Sequence, residues 1–108
     1  MADKNNMQQE HLPGVFPATK KSGEVYFRAS LTYRRKHISL GSFSFAEDAH
    51  KAYLEGMRIL NDSEIDFHEY YTASPLSFEK WISLLNFRDN GIYFGHPIYV
   101  GQKLFFML

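Results

Sequence analysis

The chain has 108 residues, a length that allows one ordinary domain with an extension. It contains no cysteine, which excludes disulfide frameworks and thiolate metal sites, and its 12 basic residues balance its 12 acidic residues. No apolar run reaches membrane-spanning length, and the first ten residues contain no apolar stretch. We therefore expect neither a membrane partner nor a secretory signal.

The net charge of zero conceals a segregation of charge along the chain. Residues 18–37 contain six basic residues and one acidic residue, a net charge of +5. Residues 47–70 contain two basic and seven acidic residues, a net charge of −5. Scattered surface charge is usually only solvated, but segregation of this kind favours the binding of a polyanion by the basic region.

The chain begins with a polar segment, residues 1–12, which we expect to be a flexible leader. Residues 14–18 predict a short first strand. Pro17 confines this strand to a sheet edge or a bulge, because proline has no amide hydrogen to donate to a neighbouring strand. The turn that follows carries two basic residues, Lys20 and Lys21.

Two further strands are predicted by alternation of apolar and polar side chains. The alternation runs over residues 25–32 and resumes after a basic connection, residues 33–36, until it stops at Gly41. It predicts an antiparallel pair with one apolar and one polar face. The predicted polar face consists of Tyr26, Arg28, Ser30, Thr32, His37 and Ser39.

A helix is predicted to follow the third strand. Ser44 and Glu47 have the spacing of a capping box at a helix start. Small and apolar residues then recur at helical spacing and predict one buried face. This face consists of Phe45, Ala49, Ala52, Tyr53, Gly56, Met57 and Leu60. Because several of these side chains are small, the helix can lie close to the apolar face of the preceding hairpin.

The rest of the chain predicts a second helix and short strands. Ser77 is a candidate N-cap, residues 89–91 end the helix, and apolar segments from residue 92 to residue 108 alternate with turns. The fold class expected is α+β: a three-stranded antiparallel sheet packed on one α-helix, followed by a helix and short strands. The expected domains are a module of residues 13–67 and an extension of residues 74–108, which either supports the sheet or begins a further domain.

Four segments occur in a fixed order between residues 14 and 53. They are Gly14-Val15, the sequence FRASL at 27–31, ISLGSF at 38–43 and AEDAHKAY at 46–53. Together they resemble the DNA-binding domain of plant ethylene-response factors, the Apetala-two domain, in a divergent form like its bacterial or phage members. The resemblance implies sequence-specific binding of double-stranded DNA, with the sheet in the major groove. It is typical of a transcription regulator or of the targeting module of a mobile-element protein. The absence of a secretory signal and of cysteine favours a cytoplasmic protein, which would be associated with the nucleoid if the source is bacterial.

The resemblance assigns roles to the polar face and to the basic loops. Arg28 is the best candidate for reading a base, because a guanidinium can make a bidentate contact to guanine worth about 1 to 3 kcal/mol. The other five residues of the polar face flank it as base-reading candidates. The candidates for phosphate contacts are Lys20, Lys21, Arg34, Arg35 and Lys36. Five phosphate contacts give a log-log salt slope of about −4 to −5.

The reading positions depart from those of the plant family, which uses several arginines and two tryptophans. The corresponding positions here are Phe16, Ala18, Lys20, Ser30, Thr32, His37 and Ser39. None of them is arginine or tryptophan, so the plant target sequence does not carry over.

No enzymatic activity, cofactor or metal site is expected. His68, between Asp66 and Glu69, is the nearest approach to a metal cluster, and a solvated or helix-end role fits it better. Two alternatives to duplex DNA binding stay open. The first is a protein-interaction module, using the basic sheet face or the aromatic residues between Tyr93 and Phe106. The second is single-stranded nucleic-acid binding, for which exposed aromatic residues on the sheet are needed.

Overall fold

The computed structural model describes residues 12–93 and the backbone of two short strands, Ile98–Tyr99 and Leu104–Phe105. The expected leader up to residue 11, and the remaining residues after Tyr93, lie outside the described part of the chain. The chain divides into two compact units, Met1–Glu55 and Gly56–Leu108. The predicted domain bounds stay a prediction.

The first unit holds a three-stranded antiparallel sheet in the order β1-β2-β3. Its strands are β1 (Val15–Thr19), β2 (Val25–Tyr33) and β3 (Lys36–Phe43), and helix α1 (Ala46–Asn61) follows. The sheet packs against α1, so the predicted α+β class is confirmed.

Small side chains allow the close packing of α1 on the sheet. Ala29 on β2 and both Ala49 and Ala52 on α1 have no solvent exposure. Gly14, just before β1, lies against the ring of Tyr53, and a Cβ atom at Gly14 would lie 2.1 Å from Tyr53 Cδ1. Its φ of +79° also disfavours any residue with a side chain. The approach of the chain to α1 at this point therefore requires glycine.

A β-bulge in β3 corrects the prediction that the strand ends at Gly41. Pairing with β2 passes from Ala29 opposite Gly41 to Ser30 opposite Ser39, so Leu40 is the extra residue. The strand then continues to Phe43. An inserted residue shifts the alternation by one position. Phe43 therefore lies on the face of the sheet that α1 covers, and Ser42 lies on the outer face opposite Arg28.

β1 is an edge strand, as Pro17 predicted. The amide of Lys20 donates to the carbonyl of Glu24, and the amide of Ser30 donates to the carbonyl of Gly14. Hydrogen-bonded pairs alternate along an antiparallel ladder, so the even-numbered residues of β1 bond to β2. Pro17 is odd-numbered, and its missing N–H group therefore falls on the outer edge of the sheet.

Two residues around α1 differ from their predicted environments. Phe45 is 66% exposed, not on the buried face, because the helix begins one residue later, at Ala46. The Phe45 carbonyl accepts the first helical bond, from the amide of Ala49. Phe45 thus occupies the N-cap position that was predicted for Ser44. Glu55, predicted on the polar side of the helix, is only 8% exposed.

The second unit is built on helix α2 (Phe78–Asn90). The predicted N-cap is confirmed, since the Ser77 hydroxyl accepts a hydrogen bond from the amide of Lys80. Gly91 ends the helix in the left-handed conformation, with φ 76°. Within residues 56–93 of this unit, the buried apolar side chains are Ile59, Leu60, Ile65, Leu76, Trp81, Ile82, Leu84, Leu85 and Phe87.

A buried arginine joins α2 to the end of α1 within the second unit. The Arg88 guanidinium donates to the carbonyls of Ile59 and Asp62 and makes two further bonds to the Asp89 carboxylate. Its side chain is 5% exposed. Arg88 therefore supplies a donor to the Ile59 carbonyl in the last turn of α1. It adds a second donor to the Asp62 carbonyl, which also accepts from the amide of Ile65.

The segments after α2 differ in part from the predicted strands. Ile98–Tyr99 (β4) pairs with Leu104–Phe105 (β5) in an antiparallel arrangement. Ile92 and Tyr93 are not in a strand. The ring of Tyr93 instead meets Phe87 edge-on, and its hydroxyl accepts a hydrogen bond from Lys80 Nζ. Tyr93 thus packs against α2.

Candidate nucleic-acid interface

The sheet face that points away from α1 brings together the six predicted base-reading residues. Even-numbered side chains of β2 alternate with the buried Ala29 and Leu31 and therefore point outward. His37 and Ser39 lie on the same face, since they pair with Thr32 and Ser30. The six differ in accessibility: Arg28, Thr32, His37 and Ser39 are exposed, Tyr26 is half-buried and Ser30 is buried.

His37 is positioned by two hydroxyl groups. Its Nδ1 atom lies 3.2 Å from Thr32 Oγ1, and its Nε2 atom lies 3.4 Å from Ser30 Oγ. A hydroxyl can donate or accept, so these contacts suit either tautomer of the ring. The buried Ser30 therefore acts on the face by holding His37, whereas Thr32 and His37 remain exposed.

A shallow depression of about 270 Å³ lies in the middle of this face. Its lining residues are Phe16, Arg28, Ala29, Ser30, His37 and Ser39. Phe16 is 48% exposed and lies directly opposite Arg28 across the β1–β2 pair. Phe16 was not among the predicted contact residues, although it occupies a position that corresponds to a reading residue of the plant family. The alternation of Val15 and Phe16 indicates that Phe16 points to the outer face, because Val15 is buried. Pro17 interrupts the alternation after two residues, so the sequence alone gave a weak indication.

Exposed basic residues lie at both ends of the sheet. Lys20 and Lys21 are in the loop between β1 and β2, and Arg34 and Arg35 form the turn between β2 and β3 at the opposite end. Lys36, predicted in that connection, is the first residue of β3. The predicted phosphate-binding residues therefore form two separate groups, about one strand length apart.

Two of these basic residues have neighbours that affect their availability. Lys20 Nζ lies 3.4 Å from the Glu24 carboxylate and 5.9 Å from the ring centroid of Tyr26. The guanidinium of Arg34 lies 4.9 Å from the ring centroid of Tyr33. Exposed ion pairs are weak, so the contact with Glu24 reduces the local positive charge without burying Lys20.

The turn between β2 and β3 is conformationally unusual. Arg34 and Arg35 both have positive φ, at 51° and 69°. A two-residue hairpin turn with two positive φ values belongs to the type I′ class, which favours Asn-Gly. Arginine in the left-handed region costs about 1 to 2 kcal/mol per residue. The hairpin therefore carries two charged side chains at positions where other residues would be more stable.

The charge of the first unit differs between the two sides of the sheet. Among the described residues before α1, Glu24 is the only acidic residue, against six basic ones. The other acidic residues that the structure describes in this unit lie on α1, which covers the opposite face, and they include the exposed Glu47 and Asp48. The outer face and its loops therefore form a basic surface.

No family model, curated protein or solved structure matches the chain. The resemblance to the Apetala-two domain thus stays a prediction from the four sequence segments.

The candidate metal site at His68 has a structural role. The Asp66 carboxylate accepts a hydrogen bond from the amide of His68 and caps a short 3₁₀ helix, Phe67–Glu69. Within the described residues, no group of three or more histidine, aspartate or glutamate side chains lies close enough to hold a metal ion. The helices in this part of the chain are also too short or too polar to cross a membrane.

Proposed function

We propose that the chain binds double-stranded DNA sequence-specifically through the outer face of its three-stranded sheet. The observation that carries this proposal is the exposure of Arg28 at the centre of a face that is flanked by basic residues at both ends. The outward positions of the three strands include no acidic residue. A polyanion therefore meets no repulsive charge across the middle of the surface.

The dimensions of the sheet suit the major groove. Neighbouring strands lie about 4.8 Å apart, so β1 and β3 are separated by about 10 Å. The major groove is about 12 Å wide, and it is the groove in which all four base pairs can be distinguished. Docked there, the sheet directs its outward side chains at base edges.

Arg28 is the main reader in this arrangement. It projects from the central strand, and its neighbours Ser30, Ser39 and Ser42 have short side chains. These short neighbours leave the exposed guanidinium room to make two hydrogen bonds to O6 and N7 of one guanine. Thr32 and His37 offer additional polar contacts.

The two basic groups contact the phosphate backbones on either side of the groove. Phosphate contacts fix the position of a protein on the duplex without reading its sequence. Each neutralised phosphate contributes about −0.9 to the log-log dependence of affinity on salt. Both a regulator and the targeting module of a mobile-element protein use such a surface. We place the protein in the cytoplasm, at the nucleoid if its source is bacterial.

The test is binding of the full chain to a mixed-sequence duplex across a salt series. A variant with Arg28, Arg34, Arg35 and Lys36 replaced by alanine should bind more weakly. Its salt slope should be smaller by about 3, because three phosphate contacts are lost. Lys51→Ala, an exposed charge on α1, is the control and should leave the slope unchanged. Absence of binding by the folded chain at low salt would falsify the proposal.

A further inference from the structure

Phe16 is a large apolar side chain that the packing of the sheet leaves half exposed. It is 48% exposed on β1, while its neighbour Val15 points to the covered face and is 5% exposed. Burying a phenyl ring is favourable by about 1.5 to 3 kcal/mol, so a large apolar side chain on an otherwise polar face is available for a ligand. Phe16 therefore offers an apolar contact in the middle of the face that we propose binds DNA.

Phe16 and Arg28 form one side-by-side pair. They are Cα partners in the β1–β2 ladder and line the same depression. Directly opposed residues in an antiparallel pair have Cβ atoms about 4.5 to 5.5 Å apart. Successive base pairs of a duplex are about 3.4 Å apart along the axis. A row of side chains inclined to that axis thus places Phe16 and Arg28 at neighbouring base pairs.

The chemistry of the two side chains selects the bases. The C5 methyl of thymine is the apolar group that the major-groove edges of the four bases display, and phenylalanine is one of the side chains that contact it. Against a purine edge or the amino group of cytosine, the ring of Phe16 would desolvate a polar group without replacing its hydrogen bonds. Arg28 matches the paired acceptors O6 and N7 of guanine.

We propose that Phe16 and Arg28 together read a thymine and a guanine in adjacent base pairs. Phe16 contacts the thymine methyl, and Arg28 bonds to the guanine. This inference rests on the proposed duplex binding and adds the sequence element that the face recognises.

Stacking of Phe16 on an unpaired base is the competing arrangement. Binding of single strands uses several aromatic rings for successive bases. Tyr26, the other aromatic residue that points outward from β1 or β2, is half-buried and has the Lys20 ammonium 5.9 Å from its ring centroid. The face thus offers one exposed aromatic ring beside one guanidinium. This arrangement suits contacts to base edges in a duplex better than stacking on successive unpaired bases.

The experiment begins with selection of binding sites by the full chain from a random duplex pool. The enriched site should contain thymine next to guanine. Replacing that thymine by deoxyuridine removes only the methyl group and should weaken binding by about fourfold. Replacing the guanine by 7-deazaguanine removes only the N7 acceptor and should weaken binding by about tenfold.

Variants of the protein test whether Phe16 contacts the thymine methyl and Arg28 contacts guanine N7. Phe16→Ala should bind the thymine and deoxyuridine duplexes equally, while its response to 7-deazaguanine is retained. Arg28→Ala should bind the guanine and 7-deazaguanine duplexes equally, while its response to deoxyuridine is retained. Val25→Ala, an exposed apolar residue elsewhere on the sheet, is the matched control and should discriminate as the unmodified chain does. Thermal unfolding of each variant verifies that it is folded.

The outcomes separate this inference from the proposed function. Salt-dependent duplex binding without any effect of the methyl group or of N7 overturns the pairing of Phe16 and Arg28 and leaves duplex binding intact. Failure to bind duplex, or a preference for the single strands of the selected site, overturns both.

Discussion

The two faces of the sheet are built from the same strands and differ in solvent exposure and in the polarity of their side chains. On β2, Ala29 and Leu31 are 0% and 3% exposed, whereas Arg28 and Thr32 on the other side are open to solvent. Neighbouring residues along a strand point to opposite faces. The residues that stabilise the fold and those that we propose bind DNA therefore occupy alternate positions, and substitutions one residue apart should separate the two effects.

The largest effect expected is loss of stability on the covered face. Ile38 is 1% exposed, so Ile38→Ala should lower the free energy of unfolding by about 3 kcal/mol, through lost burial and a cavity. Its exposed neighbour provides the control: Ser39→Ala should change stability by less than about 0.5 kcal/mol. Urea unfolding followed by far-ultraviolet circular dichroism measures both. Equal losses for the two variants would contradict the division between the faces.

The type I′ turn allows stability and binding to change in opposite directions. Replacing Arg34 by Asn and Arg35 by Gly supplies the residues that this turn favours. The free energy of unfolding should rise by about 1 to 2 kcal/mol, less than the summed cost of the two arginines, because glycine loses more conformational entropy on folding. The same change removes two charges and should reduce the DNA salt slope by about 2.

The double variant Lys20→Ala with Lys21→Ala is the control for that experiment. It should reduce the salt slope by a similar amount without any gain in stability, because neither residue has a positive φ. If the Asn-Gly variant keeps the original slope, the turn does not contact phosphate.

The smallest effect expected concerns Glu24, whose carboxylate lies 3.4 Å from Lys20 Nζ. Glu24→Gln should strengthen duplex binding by about twofold at low salt, because it removes the acidic side chain nearest to the basic loop. Glu64→Gln changes net charge equally at an exposed position in the second unit and should have no effect. A twofold gain in both variants would indicate a response to net charge alone.

Periodicity predicted the parts of the fold in which side chains follow a simple alternation. The outward direction of Arg28 follows from the burial of Ala29, and the start of α2 follows from the hydroxyl of Ser77. The bulge at Leu40 was missed because the glycine after it has the usual signal of a strand end, whereas here Gly41 continues the strand with φ 133°.

The remaining site features depend on tertiary structure. The contacts of His37 with Thr32 and Ser30 exist only in the register that the two-residue turn imposes. Arg34 and Arg35 have no intrinsic preference for positive φ, so their turn conformation could not be predicted from residue type. The depression that joins Phe16 to Arg28 likewise requires the pairing of β1 with β2.

The free edge of β1 has a consequence for self-association. An unpaired edge strand is a template on which another chain can add, and such addition leads to aggregates and fibres. Three residues of β1 point their backbone groups outward. The amide of Val15 is already bonded to the carbonyl of Leu12, and Pro17 has none, so Thr19 presents the remaining donor. The chain can thus display the exposed ring of Phe16 beside an edge that offers a second copy one amide donor, too few for a regular ladder of hydrogen bonds.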